Sequence, residues 1–365
     1  MISIKQIILL SGLLIFVGCS SPDLSDKPKT FKAKKMISQV YKEHFLIGAA
    51  VASSEYGNRD YFDIRYAELL PHYNSLTAEN AMKPEVIHPL KDQFNFQAAD
   101  RIINYASSNN INVRGHALVW HSQTSPWITE GSKDAVRENM RNHIMTVVGR
   151  YKGRVYSWDV VNEAVSDQGS YRADSPWYKA YGGPEYIIDA FKFAKAADPD
   201  CSLIYNDYAV VRPSKRHDII TMIKKLDLKK HGLDGIGIQA HWNLYWPEIN
   251  EIQRTIDMFS EMGLDIHITE LDIDCFDGMG NKEGRAFDND LDDKLAARYR
   301  EIFELFRINS DKIVSVTFWG VADDHTWLDY HYNKTWNAGK PLKNYPFVFD
   351  TDHKAKKAYN EIVDF

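Results

Sequence analysis

Short apolar segments rich in β-branched residues alternate with amphipathic segments along most of this chain. From about residue 40 onward, eight segments have the composition and length of buried strands. In chain order they read FLIGAAV, YNSLTAEN, INVRGHALVWH, RVYSWDVVN, SLIYNDY, DGIGIQAHW, LDIHITELDI and KIVSVTFWG. The intervening segments have helical periodicity, with apolar residues recurring on one face at Val136, Met140, Ile144 and Val147, and again at Ile252, Ile256 and Phe259.

Strands that are separated by helices run parallel, because each connecting helix returns the chain to the same end of the sheet. Eight such strand–helix units predict an α/β fold of the (β/α)8 TIM barrel type, forming a single catalytic domain. A doubly wound open sheet is the alternative. That fold would place a glycine-rich phosphate turn after the first strand, and the sequence GAAVASSEYGN is not such a turn.

The N-terminus has the layout of an export signal. A polar start containing Lys5 is followed by an apolar run and by FVGC, which resembles a lipoprotein cleavage site. Residues 1–18 are therefore predicted to be a lipoprotein-type signal peptide, Cys19 the lipidated residue and residues 19–35 a polar tether. The protein is then expected to be exported and lipid-anchored to a bacterial membrane, in the periplasm or at the cell surface. An ordinary cleaved signal with an incidental cysteine is the alternative.

Charge and cysteine content narrow the classes of function. The 365 residues carry a formal net charge of −6 without a dense block of Lys or Arg, which argues against nucleic-acid binding. Apart from Cys19, only Cys201 and Cys275 occur, too few for a disulfide framework.

Polar side chains follow nearly every predicted strand. In a (β/α)8 barrel the chemistry lies at the C-terminal strand ends, where distant parts of the chain converge. The strand-end residues are Glu79, Asn80, His121, Asn162, Glu163, Asn206, Asp207, Gln239, His241, Glu270, Asp272 and Trp319. Any one of them could be a helix cap, but so many at one end of a barrel indicate a site. Gln239 and His241 are two residues apart, as are Glu270 and Asp272, so strand alternation predicts that each pair shares a face.

Two strand-end glutamates favour glycoside hydrolysis, in which one carboxyl group protonates the leaving oxygen and the other attacks the anomeric carbon or directs water to it. The sequence contains no G-x-S-x-G, no H-E-x-x-H and no Cys/His grouping at metal-ligand spacing, so serine and zinc hydrolases lack their required residues. His116 and His121 are five residues apart and are predicted to be poor co-ligands. Trp127, Trp319 and Trp327 lie in or just after strand ends, where a flat ring can stack on a sugar.

Six motifs, TAENAMKPE, VRGHALVWHSQ, WDVVNEA, IGIQAHW, ITELDID and FWGVADDHTWL, resemble those of glycoside hydrolase family 10, the endo-β-1,4-xylanases, over residues 36–365. The resemblance implies retaining, endo-acting hydrolysis of xylan and xylo-oligosaccharides, with Glu163 as general acid/base and Glu270 as nucleophile. It implies that His241 and Asp272 orient the nucleophile and that Asn162 binds the sugar 2-hydroxyl. The other residues implied to bind substrate are Glu79, Asn80, Lys83, His121, Trp127, Gln239, Trp319 and Trp327.

No cofactor and no metal are expected for such an enzyme, and its catalytic domain is expected to be monomeric. Two departures from the family pattern, Ala117 and Ala209, put contacts to the leaving-group sugars in doubt. Two other functions stay open at this point: a surface lipoprotein that binds xylan without cutting it, and a related retaining β-glycanase that acts on another polymer.

Overall fold

The computed structural model of the chain describes residues 28–53, 61–276, 286–335 and 343–365. The predicted signal peptide, Cys19 and the tether up to residue 27 lie outside these residues. The strands are β1 Leu46–Val51, β2 Ser75–Ala78, β3 Asn112–Gly115, β4 Val119–Trp120, β5 Ser157–Asn162, β6 Ser202–Asp207, β7 Gly235–Ile238, β8 His241–Asn243, β9 Asp265–Asp274 and β10 Ile313–Phe318.

Helices occupy most of the connections between these strands. They are α1 Ile37–Val40, α2 Phe62–Arg65, α3 Pro84–Ile87, α4 Gln97–Ser108, α5 Lys133–Arg150, α6 Pro176–Tyr181, α7 Glu185–Ala197, α8 Pro213–Lys225, α9 Ile249–Glu261, α10 Asn289–Ile308, α11 Trp327–Thr335 and α12 Lys357–Val363. Single turns of 3₁₀-helix lie at Leu70–His72, Pro126–Thr129 and Leu228–His231.

The strands form a closed parallel barrel. Pairing runs in the order β1, β2, β3, β5, β6, β7, β9 and β10, and β10 pairs with β1 to close the cylinder. The two remaining strands extend the barrel wall at its C-terminal end, β4 beside β5 and β8 beside β9. The predicted (β/α)8 barrel is therefore confirmed, and all eight predicted strands belong to it. The third and sixth are each divided into two pieces, β3 with β4 and β7 with β8.

The helices cover the barrel with the apolar faces that the sequence predicts. The four apolar residues of α5 and the three of α9 that recur at helical spacing are all fully buried. Burying one such side chain contributes about 1.5–3 kcal/mol, so these faces hold the helices on the sheet. The helix ring in turn covers the outer face of the strands, as a parallel sheet requires.

The segment before the barrel contacts the C-terminal part of the chain. Phe31 and Ala355 exchange two backbone hydrogen bonds of 2.9 Å, and Lys35 lies 2.7 Å from Asp364. The last residues of the predicted tether thus lie against α12 and its neighbours. Among the described residues, no helix has the length and apolar character needed to cross a membrane.

Candidate active site

The two strand-end glutamates lie at the C-terminal mouth of the barrel. Glu163 directly follows β5 and has a φ of 58°, which turns the chain out of the extended conformation of the strand. Glu270 lies inside the longer strand β9. The Glu163 side chain is 12% exposed and that of Glu270 is 5% exposed, so Glu163 is the more accessible from the cleft.

The Glu163 carboxylate accepts hydrogen bonds from three N–H donors. Trp120 Nε1 lies 3.0 Å from Oε2, while Asn162 Nδ2 and Gln239 Nε2 each lie 3.1 Å from Oε1. Trp120 belongs to β4, whose pairing with the end of β5 places the indole beside the glutamate. Nδ1 of His121 is 3.8 Å from Oε2. Burial lowers the pKa of His121 although the charge of Glu163 opposes the shift.

Glu270 is held as an ionised carboxylate. Its Oε1 accepts a hydrogen bond of 2.6 Å from Asn206 Nδ2, and its Oε2 lies 3.3 Å from His241 Nε2. Burial alone would raise the pKa of Glu270, but the nearby His116, the hydrogen bond from His241 and the Arg114 guanidinium together lower it to about 2. A buried carboxylate that stays charged across the physiological range is suited to attack an electrophilic carbon.

One amide network joins the two glutamates. Asn206, which donates to Glu270, also donates to Asn162 Oδ1 over 2.9 Å, and Asn162 in turn donates to Glu163. The Thr269 hydroxyl donates to Asn206 Oδ1 over 2.7 Å, which fixes the orientation of that amide. A change at either glutamate is therefore transmitted to the other through hydrogen-bonded side chains.

His241 and Asp272 support the inner glutamate. His241 Nδ1 lies 2.9 Å from Asp272 Oδ2, and the same carboxylate oxygen accepts a hydrogen bond of 2.8 Å from Trp327 Nε1. Burial would lower the pKa of His241, but Asp272 and Glu270 raise it to about 10, so the imidazolium donates from both ring nitrogens. Glu270 and Asp272 both contact His241, as strand alternation predicts.

Strand alternation does not explain why Gln239 and His241 both reach the site. Gln239 and His241 both reach the site, but Ala240 between them has a φ of 62°, which interrupts the strand. His241 is instead oriented by β8, which pairs with β9 so that His241 lies opposite Asp272. The predicted location of the pair is confirmed, and the reason given for it is wrong.

A buried charged group lies below Glu270. The Asp159 carboxylate contacts the Arg114 guanidinium and lies 2.7 Å from His116 Nδ1, and all three side chains are at most 2% exposed. His116, Asp159 and Glu270 present atoms within 4.8 Å of one another, close enough for a metal ion. Because the Arg114 cation shares the same Asp159 oxygen as His116, this cluster is poorly suited to a second cation.

Several predicted substrate-binding residues line the mouth. Lys83 Nζ lies 3.0 Å from Asn80 Oδ1 and 4.9 Å from the centre of the Trp120 ring. Glu79 Oε2 lies 3.2 Å from His325 Nε2. Burial would raise the pKa of Glu79, but this histidine lowers it, and Glu79 in turn raises the pKa of His325.

The three predicted tryptophans differ in their surroundings. Trp319 packs edge-on against His116 with ring centres 5.1 Å apart, and Trp327 donates to Asp272. Trp127 donates to the backbone oxygen of His88 over 3.3 Å, and its ring packs against the imidazole of the same residue. Trp319 and Trp327 therefore touch residues beside the glutamates, whereas the described hydrogen bonds of the Trp127 side chain and backbone oxygen join it to His88 and to Asn139 of α5.

Sequence reasoning assigned no role in the site to four of its residues: Trp120, Asn206, His116 and His325. Asn206 is visible as a strand-end amide, but no residue pattern indicates that it joins Glu270 to Asn162, which donates to Glu163. Trp120 precedes His121 in the sequence, and only the pairing of β4 with β5 shows that it reaches Glu163. His325 follows β10 in a loop, where its contact with Glu79 joins residues 246 positions apart.

Comparisons with known proteins agree with this geometry. The sequence is 41% identical over 357 residues to a β-1,4-xylanase of Dictyoglomus thermophilum, covering 97% of each chain. It is 41% identical to an endo-1,4-β-xylanase of Geobacillus stearothermophilus, covering 90% of this chain and 98% of that one. The fold superposes on a crystal structure of a xylanase from Paenibacillus barcinonensis with a TM-score of 0.82 and 38% identity, covering 90% of this chain and 97% of that one.

The family profile described as glycosyl hydrolase family 10 matches residues 36–365, which include both glutamates and every strand of the barrel. The chain therefore belongs to glycosyl hydrolase family 10.

Proposed function

We propose that this protein is a retaining endo-β-1,4-xylanase in which Glu270 is the nucleophile and Glu163 the general acid/base. The observation that carries the proposal is the contrast between the two carboxylates at one barrel mouth. Glu270 is the more buried and has a pKa lowered to about 2 by neighbouring cations and the hydrogen bond from His241, whereas Glu163 is the more accessible of the two. Relatives at about 40% identity that span nearly the whole chain are named xylanases, which supports xylan as the substrate.

In the first step a Glu270 oxygen forms a bond to the anomeric carbon while the bond from that carbon to the glycosidic oxygen breaks. The leaving oxygen takes the proton of Glu163. In the second step water attacks the same carbon, Glu163 accepts a proton from that water, and the ester bond to Glu270 breaks. Two inversions at one carbon give net retention of configuration.

The residues around the glutamates supply orientation and charge. The His241 imidazolium, paired with Asp272, holds one oxygen of Glu270, and Asn206 holds the other, so the attacking carboxylate is fixed in position. Asn162 lies between the two glutamates, where its amide can bind the 2-hydroxyl of the reacting sugar. Glu79, Asn80, Lys83, His121, Trp127, Gln239, Trp319 and Trp327 are proposed to bind the sugars of the substrate.

The decisive experiment is a proton NMR time course of linear xylo-oligosaccharide hydrolysis. New β-anomer signal that precedes mutarotation is expected. New α-anomer would indicate inversion of configuration, and Glu270 would then be a base that activates water and not a nucleophile. The absence of new reducing ends would instead favour a xylan-binding protein or activity on another polymer.

Two substitutions separate the roles of the glutamates. Glu270→Ala should abolish turnover of every glycoside, because no nucleophile remains. Glu163→Ala should spare the first step on aryl glycosides whose leaving groups need no proton. Equal losses of kcat/KM on aryl glycosides and oligosaccharides in the Glu163 variant would refute its acid role.

We further propose that residues 1–18 are a signal peptide and that Cys19 carries a lipid which anchors the exported protein to a bacterial membrane. The FVGC sequence supports this proposal. Cys19→Ala should move the protein from the membrane fraction to the soluble fraction of cells. An unchanged distribution between the two fractions would contradict the anchor. The catalytic domain is proposed to be monomeric, which light scattering would test.

A further inference from the structure

The backbone at Glu163 is held in an unfavourable conformation. A φ of 58° at a non-glycine residue costs free energy, so surrounding contacts must hold the residue there. Glu163 N donates to Asn206 O over 2.9 Å, and Glu163 O accepts from Arg172 Nε over 2.9 Å. These two bonds fix the peptide groups on either side of the residue.

The next two peptide groups are held by a single side chain. The Tyr205 hydroxyl accepts hydrogen bonds from Ala164 N over 2.9 Å and from Val165 N over 3.2 Å. It donates its own proton to Asp207 Oδ2 over 2.5 Å. A phenol hydroxyl offers one donor and two acceptor sites, so all three are used here.

The partner of this hydroxyl is itself held by charge. Asp207 is fully buried, and its Oδ1 lies 2.8 Å from Lys215 Nζ and accepts a hydrogen bond from Tyr208 N. Lys215 is only 4% exposed and lies over the Tyr208 ring. A buried carboxylate facing a buried ammonium keeps its acceptor oxygen in one place, which fixes the direction in which Tyr205 donates.

We propose that Tyr205, held by Asp207 and Lys215, is a positioning residue that sets the location of the Glu163 carboxyl group for proton transfer. The inference rests on the proposed function of Glu163. Neither Tyr205 nor Lys215 has a described hydrogen bond to the Glu163 carboxylate, so Tyr205 acts on that carboxylate through its backbone. The charges of Asp207 and Glu163 also affect each other directly. Proton transfer requires hydrogen-bond distance to the leaving oxygen, and a displacement of about 1 Å is enough to lose much of its rate.

The test compares substrates that differ in their need for an acid. Tyr205→Phe removes the hydrogen-bond partner of the Ala164 and Val165 N–H groups and of Asp207 Oδ2. It should lower kcat/KM on xylo-oligosaccharides about tenfold or more. On a dinitrophenyl glycoside, whose leaving group needs no proton, the loss should stay within about threefold.

Matched variants separate positioning from loss of stability. Tyr41→Phe removes another buried tyrosine hydroxyl, which donates to Ile362 O and accepts from Arg307, on the chain segment before β1. This control should lower the melting temperature without changing the ratio of the two kcat/KM values. If Tyr205→Phe does not fold, Lys215→Met keeps the hydroxyl and removes the charge that holds Asp207 in place. It should give a smaller change of that ratio in the same direction.

Glu163→Ala measured in parallel distinguishes two kinds of failure. Suppose Glu163→Ala changes kcat/KM on the two substrates by different factors, while Tyr205→Phe and Lys215→Met lower both values equally. The positioning role is then overturned and the role of Glu163 stands. If Glu163→Ala itself lowers kcat/KM on both substrates equally, the acid role of Glu163 is refuted, and the inference on Tyr205 is refuted with it.

Discussion

Replacing Asp272 by asparagine tests whether the charge of His241 maintains the nucleophile. Asp272 Oδ2 accepts hydrogen bonds from His241 Nδ1 at 2.9 Å and from Trp327 Nε1 at 2.8 Å. An amide oxygen in the same place can accept both bonds, so the substitution removes a charge and changes little of the packing. Asp272 is only 1% exposed, which leaves its charge poorly screened.

The structure gives the size of the effect. The pKa of His241 is raised from 6.5 to about 10, which corresponds to roughly 5 kcal/mol in favour of the imidazolium. Without the charge of Asp272 this pKa should fall toward its ordinary value. At pH values above this lowered pKa, the His241 ring is neutral and keeps its proton on Nδ1. The lone pair of Nε2 then faces Glu270, 3.3 Å away. Losing a charge-assisted hydrogen bond costs about 1.5–3 kcal/mol, or about ten- to a hundredfold in rate.

The assay is kcat/KM of Asp272→Asn relative to the unaltered protein between pH 5 and 9, on a dinitrophenyl glycoside. With that substrate the protonation of Glu163 does not enter the first step. The ratio should be nearly constant below about pH 6 and should fall as His241 loses its proton. A ratio that does not depend on pH would refute the reasoning. Asp198→Asn, which neutralises another buried carboxylate in the loop before β6, is the control and should leave the ratio flat.

Stability should follow the same titration. A histidine whose pKa is raised in the folded state contributes stability that is fully present below its unfolded pKa, near 6.5, and is lost as the pH rises through its folded pKa. For His241 the folded value is about 10. The free energy of unfolding should therefore differ more between Asp272→Asn and the unaltered protein at pH 6 than at pH 10, as measured by urea denaturation. An equal difference at the two pH values would contradict the assignment.

Two further predictions concern packing and buried histidines. Gly237→Ala places a Cβ 2.2 Å from Asn206 Oδ1, so the amide that holds Glu270 must move. The kcat of the folded variant should fall about tenfold, and an unchanged kcat would contradict the role of that amide. His88 and His143 lie 3.2 Å apart with burial lowering their pKa to about 4 and about 3, so the unfolded chain binds more protons and stability falls as pH drops below 6.5. Urea denaturation at pH 7 and pH 5 gives the unfolding free energy lost between these two pH values. This loss should be about 2 kcal/mol smaller for His143→Leu than for the unaltered protein, and equal losses would refute the reasoning.

The sequence determined the architecture because its signals are local and repeated. The spacing of apolar residues alone predicts each strand and each buried helical face. Eight strand–helix repeats leave few alternatives to a closed parallel barrel. The strand ends then located Glu163 and Glu270, since the C-terminal ends of parallel strands meet at one mouth. Their separate roles came from resemblance, because two glutamates have the same residue type.

The tertiary structure decided which side chains meet around those glutamates. Asn206 joins Glu270 to Asn162, and Tyr205 holds the backbone after Glu163. These contacts between β5, β6 and β9 are encoded by no single segment. The positive φ of Ala240 ends the alternation of its strand, so His241 is oriented by pairing with a neighbouring strand. Burial and neighbouring charge then set pKa values that a residue type alone cannot give. Local periodicity therefore determined the barrel, whereas long-range pairing and exclusion of water made its mouth a site that can do chemistry.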